Sequence, residues 1–173
     1  SCWKMILAKK IRLYPTEEQV QKLWQSANSA RFIYNWTLNK QEENCKNGGK
    51  FIKDSDLRKE ITQLKKDELL WLNEVSNNVA KQAIKDCCNA YKNFFKGLAY
   101  KPKFKSRKKS KPSFYNETSK LKAKEKSVLI EKIGWVKTKE QVPMDVKYTN
   151  PRISYDNKYW YLSVGIEVEM PIV

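Results

Sequence analysis

The chain has 173 residues, with 35 lysines and arginines against 19 acidic residues and no histidine, giving a formal net charge of +16. The lack of histidine excludes imidazole general bases, Ser-His and Cys-His nucleophile pairs and histidine-ligated metals. No apolar run approaches the roughly 20 residues that span a bilayer, so the positive charge indicates nucleic acid, not a membrane, as the partner.

The first predicted element is a β-strand. Residues 1–4 are expected to be an irregular leader, and residues 5–14 alternate, with Leu7, Ile11 and Leu13 on one side. This period of two is typical of a half-buried strand. Thr16 to Gln19 then has the spacing of a capping box, which predicts a helix starting near Glu17.

A helical region is predicted to follow, over residues 16–98. A first helix carries Val20, Leu23 and Trp24 inward, and a second helical run over residues 30–38 continues to a glycine stop at residues 45–49. Residues 54–66 predict a shorter helix, and Ser76 is expected to cap a long one. These helices predict a small bundle.

Residues 99–112 form a predicted linker, here called the basic segment. The surrounding residues 87–116 carry nine basic side chains and no acidic one, interleaved with aromatic rings. Lysine and arginine neutralise phosphates and flat rings stack on unpaired bases, which favours nucleic-acid binding over the alternative of a disordered solubilising linker. The predicted nucleic-acid-binding residues are Lys101, Lys103, Phe104, Lys105, Arg107, Lys108, Lys109, Lys111, Tyr115 and Lys137.

The pattern then changes to short strands over residues 113–117, 127–131, 133–137 and 147–150. A hairpin follows, with arms at 152–155 and 159–169 and a turn at 156–158. In its second arm Trp160, Leu162, Val164, Ile166 and Val168 share one face. The predicted fold class is α+β: a small OB-like β-barrel, formed by residues 1–15 and 113–173, interrupted by the inserted helical bundle.

Three sets of side chains are candidate sites. Asn77, Asn78, Lys81 and Gln82 at a helix start could bind phosphate or read base edges, although spacing alone favours solvent-facing cap positions. Trp135, Tyr159 and Tyr161 could stack on bases, whereas Trp160 is expected in the core. Glu167 and Glu169 could form a metal or acid/base pair, or be charges that protect an edge strand.

Cys2, Cys45, Cys87 and Cys88 form no C-x-x-C pair, and no signal peptide precedes them. A reducing, cytoplasmic location is therefore predicted, with no metal and no cofactor. Cys87 and Cys88, on one helix, are expected to be one core thiol and one exposed thiol.

Five collinear phrases carry a family resemblance. They are IRLYPTEEQ at residues 11–19, SARFIYN at 29–35, AYKNFF at 90–95, KFKSRKK at 103–109 and IGWVK at 133–137. Together they resemble the amino-terminal half of TnpB, the OrfB-type, transposon-encoded, RNA-guided DNA nuclease related to compact type V CRISPR effectors.

The resemblance implies a wedge domain, a β-barrel, interrupted by a helical recognition domain. This lobe would bind guide RNA and target DNA and read a short target-adjacent motif. Carried over, the motif-reading residues are Asn77, Asn78 and Lys81 with Thr118, while Glu117 departs from the uncharged residue expected beside Thr118.

The resemblance also implies a RuvC nuclease domain beginning shortly after a strand like residues 165–169. Its carboxylates are expected to lie outside this chain, so the chain is expected to bind nucleic acid without cutting it. A stand-alone RNA- or DNA-binding repressor or guide-RNA competitor is the alternative. An enzyme in its own right is the third possibility.

Overall fold

A computed structural model of the chain describes residues 2–172, and it is a mixed α+β protein. Residues 2–172 contain three α-helices and seven strands, with short 3₁₀ helices at Leu70–Glu74 and Thr118–Lys120. The α+β class is therefore confirmed. In chain order the elements are β1 (Cys2–Tyr14), α1 (Glu17–Lys46), α2 (Asp54–Leu64), α3 (Asn77–Phe95), β2 (Ser113–Tyr115), β3 (Lys122–Lys124), β4 (Ser127–Ile130), β5 (Gly134–Thr138), β6 (Lys147–Asp156) and β7 (Tyr159–Pro171).

The chain divides into two compact units. The sheet unit comprises the chain up to Gln25 together with the chain from Lys111 onward, and the helical unit comprises Ser26–Ser110. The division falls inside α1. None of the helices described for residues 2–172 combines the length and apolar character needed to cross a membrane.

The sheet unit contains one antiparallel sheet in the order β2-β6-β7-β1-β5-β4-β3. Directly paired residues project to the same face. In β4, β5 and much of β7, buried residues alternate with more exposed ones, whereas residues 2–10 of β1 are largely exposed on both faces. Trp160 is 3% exposed, as predicted, and its ring centroid lies 5.0 Å from that of Trp24 on the first turns of α1. Closure of the sheet into an OB-like barrel stays a prediction.

Three strand predictions need correction. β1 begins at Cys2, and residues 2–4 of the expected leader are instead paired with β7, Cys2 opposite Pro171, while residue 1 lies outside the described residues. The segment β3, rich in lysine, was not predicted because its single alanine gives no apolar alternation. The predicted strands 147–150 and 152–155 are one strand, β6, because an irregularity in register between Thr149 and Arg152 accommodates Pro151 and the positive φ of Asn150 without ending the strand.

The capping box that starts α1 is confirmed in both directions. The backbone N–H of Gln19 donates to Thr16 Oγ1 at 3.2 Å, and the backbone N–H of Thr16 donates to Gln19 Oε1 at 3.0 Å. The expected two helical runs are wrong, since α1 is one helix of 30 residues. No glycine or proline interrupts residues 17–46, so the backbone has no reason to break there.

Two apolar clusters hold the helical unit together. The first joins α1, α2 and α3 and has Leu57, Ile61 and Ile84 at its centre. The second joins α1 to the other side of α3 through Tyr34, Leu38 and Tyr91. α3 is therefore packed on two sides.

The prediction of one exposed thiol on α3 is wrong. Cys87 and Cys88 are 0% and 2% exposed. Neighbouring residues on a helix point about 100° apart, and here Cys88 enters the first cluster while Cys87 enters the second. Burial raises the pKa of the Cys87 thiol to about 12.

Candidate nucleic-acid interface

A groove of about 730 Å³ lies between α2 and the start of α3 in the helical unit. Its floor includes Ile61, Ala80 and Ile84, which belong to the first apolar cluster. Four basic side chains line it, and no acidic one does. These are Arg58, Lys65, Lys66 and Lys81, and with Asn73, Asn77 and Asn78 they define the α2–α3 groove.

The rim of the groove is organised by local hydrogen bonds. Ser76 caps α3, its hydroxyl accepting from the Asn78 amide at 3.1 Å. Lys65 Nζ donates to Asn77 Oδ1. Asn73 donates to the carbonyl oxygens of Lys65 and Leu70, each at 2.9 Å, which fixes the connection that follows α2.

The groove contains three of the four residues expected to read a target-adjacent motif, namely Asn77, Asn78 and Lys81. Carboxamides can donate to and accept from base edges, while lysine and arginine hold phosphates. Their role stays a prediction. Sequence reasoning missed Arg58 and Lys65, although the spacing of residues 58, 62 and 65 along α2 marks one polar face.

The basic segment is anchored to α1 at Lys105. The Lys105 amide donates to Asn35 Oδ1 at 2.8 Å, and Asn35 Nδ2 donates to the Lys105 carbonyl oxygen at 2.9 Å. The Lys105 ammonium lies 4.0 Å from the centre of the Tyr34 ring. A single asparagine side chain therefore fixes the backbone of the segment at its middle.

Two other lysines of the segment have acidic partners. Lys101 pairs with Glu42 at 3.1 Å, and the Tyr91 hydroxyl donates to the same carboxylate. These hydrogen bonds, from Tyr91 first and then Lys101, hold the pKa of Glu42 below its usual value. Within the sheet unit, Lys111 lies 3.4 Å from Asp156.

The remaining predicted residues of the segment point to solvent. Lys103, Arg107, Lys108 and Lys109 are exposed, as is the ring of Phe104. Residues 106–110 form a turn in which the Lys109 amide donates to Ser106 Oγ at 3.1 Å. No ion pair between residues 2 and 172 engages these four cations.

The other predicted residues lie in the sheet unit. The hydroxyl of Tyr115 lies 3.1 Å from Thr118 Oγ1 and accepts from the Thr118 amide at 3.3 Å. The Arg152 guanidinium lies 5.8 Å from the Tyr115 ring centre. Lys137 is exposed on β5, opposite Tyr14 of β1. The predicted set is thus divided between the two units.

The acidic pair on β7 has ordinary partners. Glu167 lies 3.3 Å from Lys4 and 3.6 Å from Lys147, and the Lys4 hydrogen bond is the main cause that lowers its pKa. An edge-strand charge is wrong for Glu167, because β7 lies between β6 and β1 at that position. Beyond Glu167 only β1 pairs with β7, so for Glu169 this alternative stays a prediction. Among residues 2–172, no group of three or more cysteine or acidic side chains is arranged to hold a metal ion.

Comparison with known proteins supports the class that the sequence motifs indicated. Residues 5–50 match the family HTH_OrfB_IS605, described as a helix-turn-helix domain. In the structure these residues form β1, α1 and the turn after it, and the next helix begins at Asp54. The resemblance to OrfB-type, TnpB-like proteins is confirmed.

Two curated relatives make the resemblance more specific. The chain is 29% identical over 168 residues to "Putative RNA-guided DNA endonuclease InsQ" of Escherichia coli (strain K12), covering 96% of this chain and 42% of that protein. It is 33% identical over 105 residues to "Putative RNA-guided DNA endonuclease" of Streptomyces pristinaespiralis, covering 60% and 26%. The chain therefore spans less than half the length of either relative.

Proposed function

We propose that this chain is the nucleic-acid-binding lobe of a TnpB-like, RNA-guided nuclease. It binds the guide-RNA scaffold and the target DNA, and its α2–α3 groove reads a short motif beside the target. The chain contributes binding, and cleavage is assigned to a RuvC domain outside it. In such systems base pairing supplies most of the sequence specificity, while the protein reads a short flanking motif and the shape of the duplex.

The observation that carries the proposal is the composition of the α2–α3 groove. Four basic side chains and three asparagines converge on one concavity, without an acidic side chain, at the start of a helix of 19 residues. The start of a helix adds a partial positive charge. Phosphate contacts and base-edge contacts can therefore form side by side.

The exposed half of the basic segment supplies a second set of phosphate contacts. Lys103, Arg107, Lys108 and Lys109 follow one another along a segment whose backbone is fixed at Lys105. Cations without an acidic partner gain more from a phosphate than cations already paired, since no ion pair has to be broken first. Lys101 and Lys111 are expected to contribute less.

The salt dependence of binding tests this assignment. The groove variant Arg58→Gln/Lys66→Gln/Lys81→Gln and the segment variant Lys103→Gln/Lys108→Gln/Lys109→Gln each remove three cations. Both should weaken binding of labelled duplex DNA and of RNA that co-purifies with the protein. Each lost phosphate contact should flatten the plot of log affinity against log salt by about 0.7 to 0.9.

The matched control is Lys50→Gln/Lys53→Gln/Lys59→Gln, which removes the same charge from exposed positions of the helical unit outside both surfaces. It should leave the slope close to that of the parent. If all three variants shift the slope equally, binding depends only on net charge and the two surfaces are wrong. If the parent chain binds neither RNA nor DNA, the proposed function itself is wrong.

A further inference from the structure

One face of the sheet carries aromatic and cationic side chains on strand after strand. Tyr14 of β1 lies opposite Lys137 of β5, and Arg12 of β1 lies opposite Tyr161 of β7. Because directly opposed residues share a face, these strands bring the whole group to one side of the sheet. We call this the stacking face, and its members are Arg12, Tyr14, Lys124, Trp135, Lys137, Tyr159 and Tyr161.

The rings of this face are held by neighbouring cations. The Arg12 guanidinium carbon lies 3.5 Å from the ring centre of Tyr159 and 5.0 Å from that of Tyr14. Lys124 Nζ lies 4.7 Å from the ring centre of Trp135. Such cation–π contacts hold the rings in place and put positive charge directly beside them.

These rings are not part of the hydrophobic core. Tyr14, Trp135 and Tyr159 are 43%, 40% and 42% exposed, whereas residues 13, 136 and 160 beside them in sequence are 2%, 0% and 3% exposed. The alternation separates the two faces sharply. The apolar core therefore does not account for aromatic residues at these three positions.

The charge of the face favours a polyanion. Asp156, directly opposite Tyr159, is already paired with Lys10 at 3.2 Å and with Lys111 at 3.4 Å. No ion pair recorded between residues 2 and 172 engages Arg12, Lys124 or Lys137. Positive charge thus alternates with exposed rings across three neighbouring strands and β3.

A recess of about 370 Å³ continues this face along β1, β6 and β7. Ser163 of β7 is paired with Lys10 of β1 on one side and with Arg152 of β6 on the other, and all three residues line the recess. Gly165 and Thr149 also line it, and an added Cβ at Gly165 would lie 2.2 Å from Thr149 Oγ1, so the packing leaves no room for a side chain there. Cationic and hydroxyl groups in such a recess suit a phosphate next to a stacked base.

We propose that the stacking face binds an unpaired stretch of RNA, with bases stacked on Tyr14, Trp135 and Tyr159. This proposal takes its RNA partner from the proposed function. It adds where the RNA binds and that the bound RNA is single-stranded. Exposed strand aromatics stack on unpaired bases but cannot reach bases inside a duplex. The proposed function supplies an RNA partner, and the unpaired loops of a folded RNA present such bases without any strand separation, so RNA is the occupant. Single-stranded DNA is the competing occupant that the test distinguishes.

The test uses the full chain and a labelled single-stranded RNA of about 12 nucleotides, a length within the range of known single-strand binding sites. Tyr14→Ala/Tyr159→Ala should lower its affinity by at least about fivefold for each ring removed. The salt slope should not change, because no cation is lost. Tyr14→Phe/Tyr159→Phe keeps both rings and should keep the affinity.

Three further measurements serve as controls. Trp3→Ala removes an equally exposed ring of β1 outside the face and should bind as the parent does. RNA should quench tryptophan fluorescence in the parent and less in Trp135→Phe. Urea unfolding of each variant establishes that it is folded.

The outcomes separate the two proposals. Unchanged affinity in Tyr14→Ala/Tyr159→Ala overturns the stacking face, and so does an equal loss for the same RNA annealed to its complement. Tighter binding of single-stranded DNA than of RNA overturns the assignment to RNA. In each case, a salt slope that still flattens in the groove and segment variants leaves the proposed function standing.

Discussion

The α2–α3 groove and the basic segment both present cations, but the sequence encodes them differently. The segment is contiguous, and its charge is visible in the sequence, although Lys101, Lys105 and Lys111 have partners in the structure. The groove is assembled from residues spread between positions 58 and 84 of a region that also carries many acids. Charge density along the chain therefore predicts the basic segment and overlooks much of the α2–α3 groove.

The two surfaces also depend on different parts of the core. Ile61, Ala80 and Ile84, beneath the groove, belong to the first apolar cluster. Tyr34 and Tyr91, which contact the segment's lysines directly or through Glu42, belong to the second. α3 contributes to both clusters, with Cys88 facing one and Cys87 the other. Variants can therefore disturb one surface while the other is monitored.

The largest effect is expected from Leu57→Ala, which removes a fully buried side chain of α2 from the first cluster. Truncating a core leucine costs about 2 to 5 kcal/mol of unfolding free energy, and the groove should lose DNA affinity with it. Urea unfolding measures the cost. Leu70→Ala is the control, since Leu70 lines the same groove at 59% exposure. Equal losses from the two variants would contradict the packing described for α2.

An intermediate effect is expected from alkaline pH acting on Cys87. Burial raises the thiol pKa from 9.0 to about 12, so above pH 9 only the unfolded chain ionises readily. The free energy of unfolding should then fall as pH rises, with a slope approaching about 1.4 kcal/mol per pH unit. Below pH 9 this contribution is fully present.

Urea unfolding at a series of pH values above 9 measures that slope. Cys87→Ala should make it shallower, whereas Cys45→Ala should not, because Cys45 is exposed. A slope that is the same in Cys87→Ala and the parent would mean that other groups cause the alkaline destabilisation.

The smallest effect is expected from Asn35→Ala, which removes both hydrogen bonds to Lys105. The loss should be about 1 kcal/mol, and hydrogen exchange at the Lys105 amide should become faster. DNA binding by the groove should not change. Asn39→Ala, one turn further along α1, is the control because the Asn39 side chain donates to Glu43 in the following turn of the same helix. Unchanged exchange at Lys105 would show that the segment is held by other contacts.

Local signals in the sequence predicted the elements well where one residue type decides the structure. The capping box at Thr16 starts α1, and Ser76 starts α3. The turn after Asp156 has positive φ at Asn157 and Lys158, which suits the two-residue connection of a hairpin. Caps and turns of this kind can be predicted from the sequence because they depend on residues a few positions apart.

Other features depend on contacts between segments that are distant in the sequence, and hydrophobic periodicity along the chain does not predict such contacts. The neighbouring thiols of Cys87 and Cys88 are both buried only because α3 packs on two sides. The stacking face required the register of β5, β1 and β7, which aligns residues more than a hundred positions apart. Asn35 gave no signal at all, because its partners are backbone atoms of Lys105.

The continuity of α1 has a practical consequence for dissecting the molecule. The compact units meet in sequence between Gln25 and Ser26, within an uninterrupted helix. A truncation at that point would create a helix end without a capping side chain, and the sheet portion would still need two separate stretches of polypeptide. The helical portion alone would therefore need a new cap, because its first four backbone N–H groups would lack partners. The sheet portion alone would need a connecting loop, and its shortened α1 would end in four carbonyl oxygens without partners.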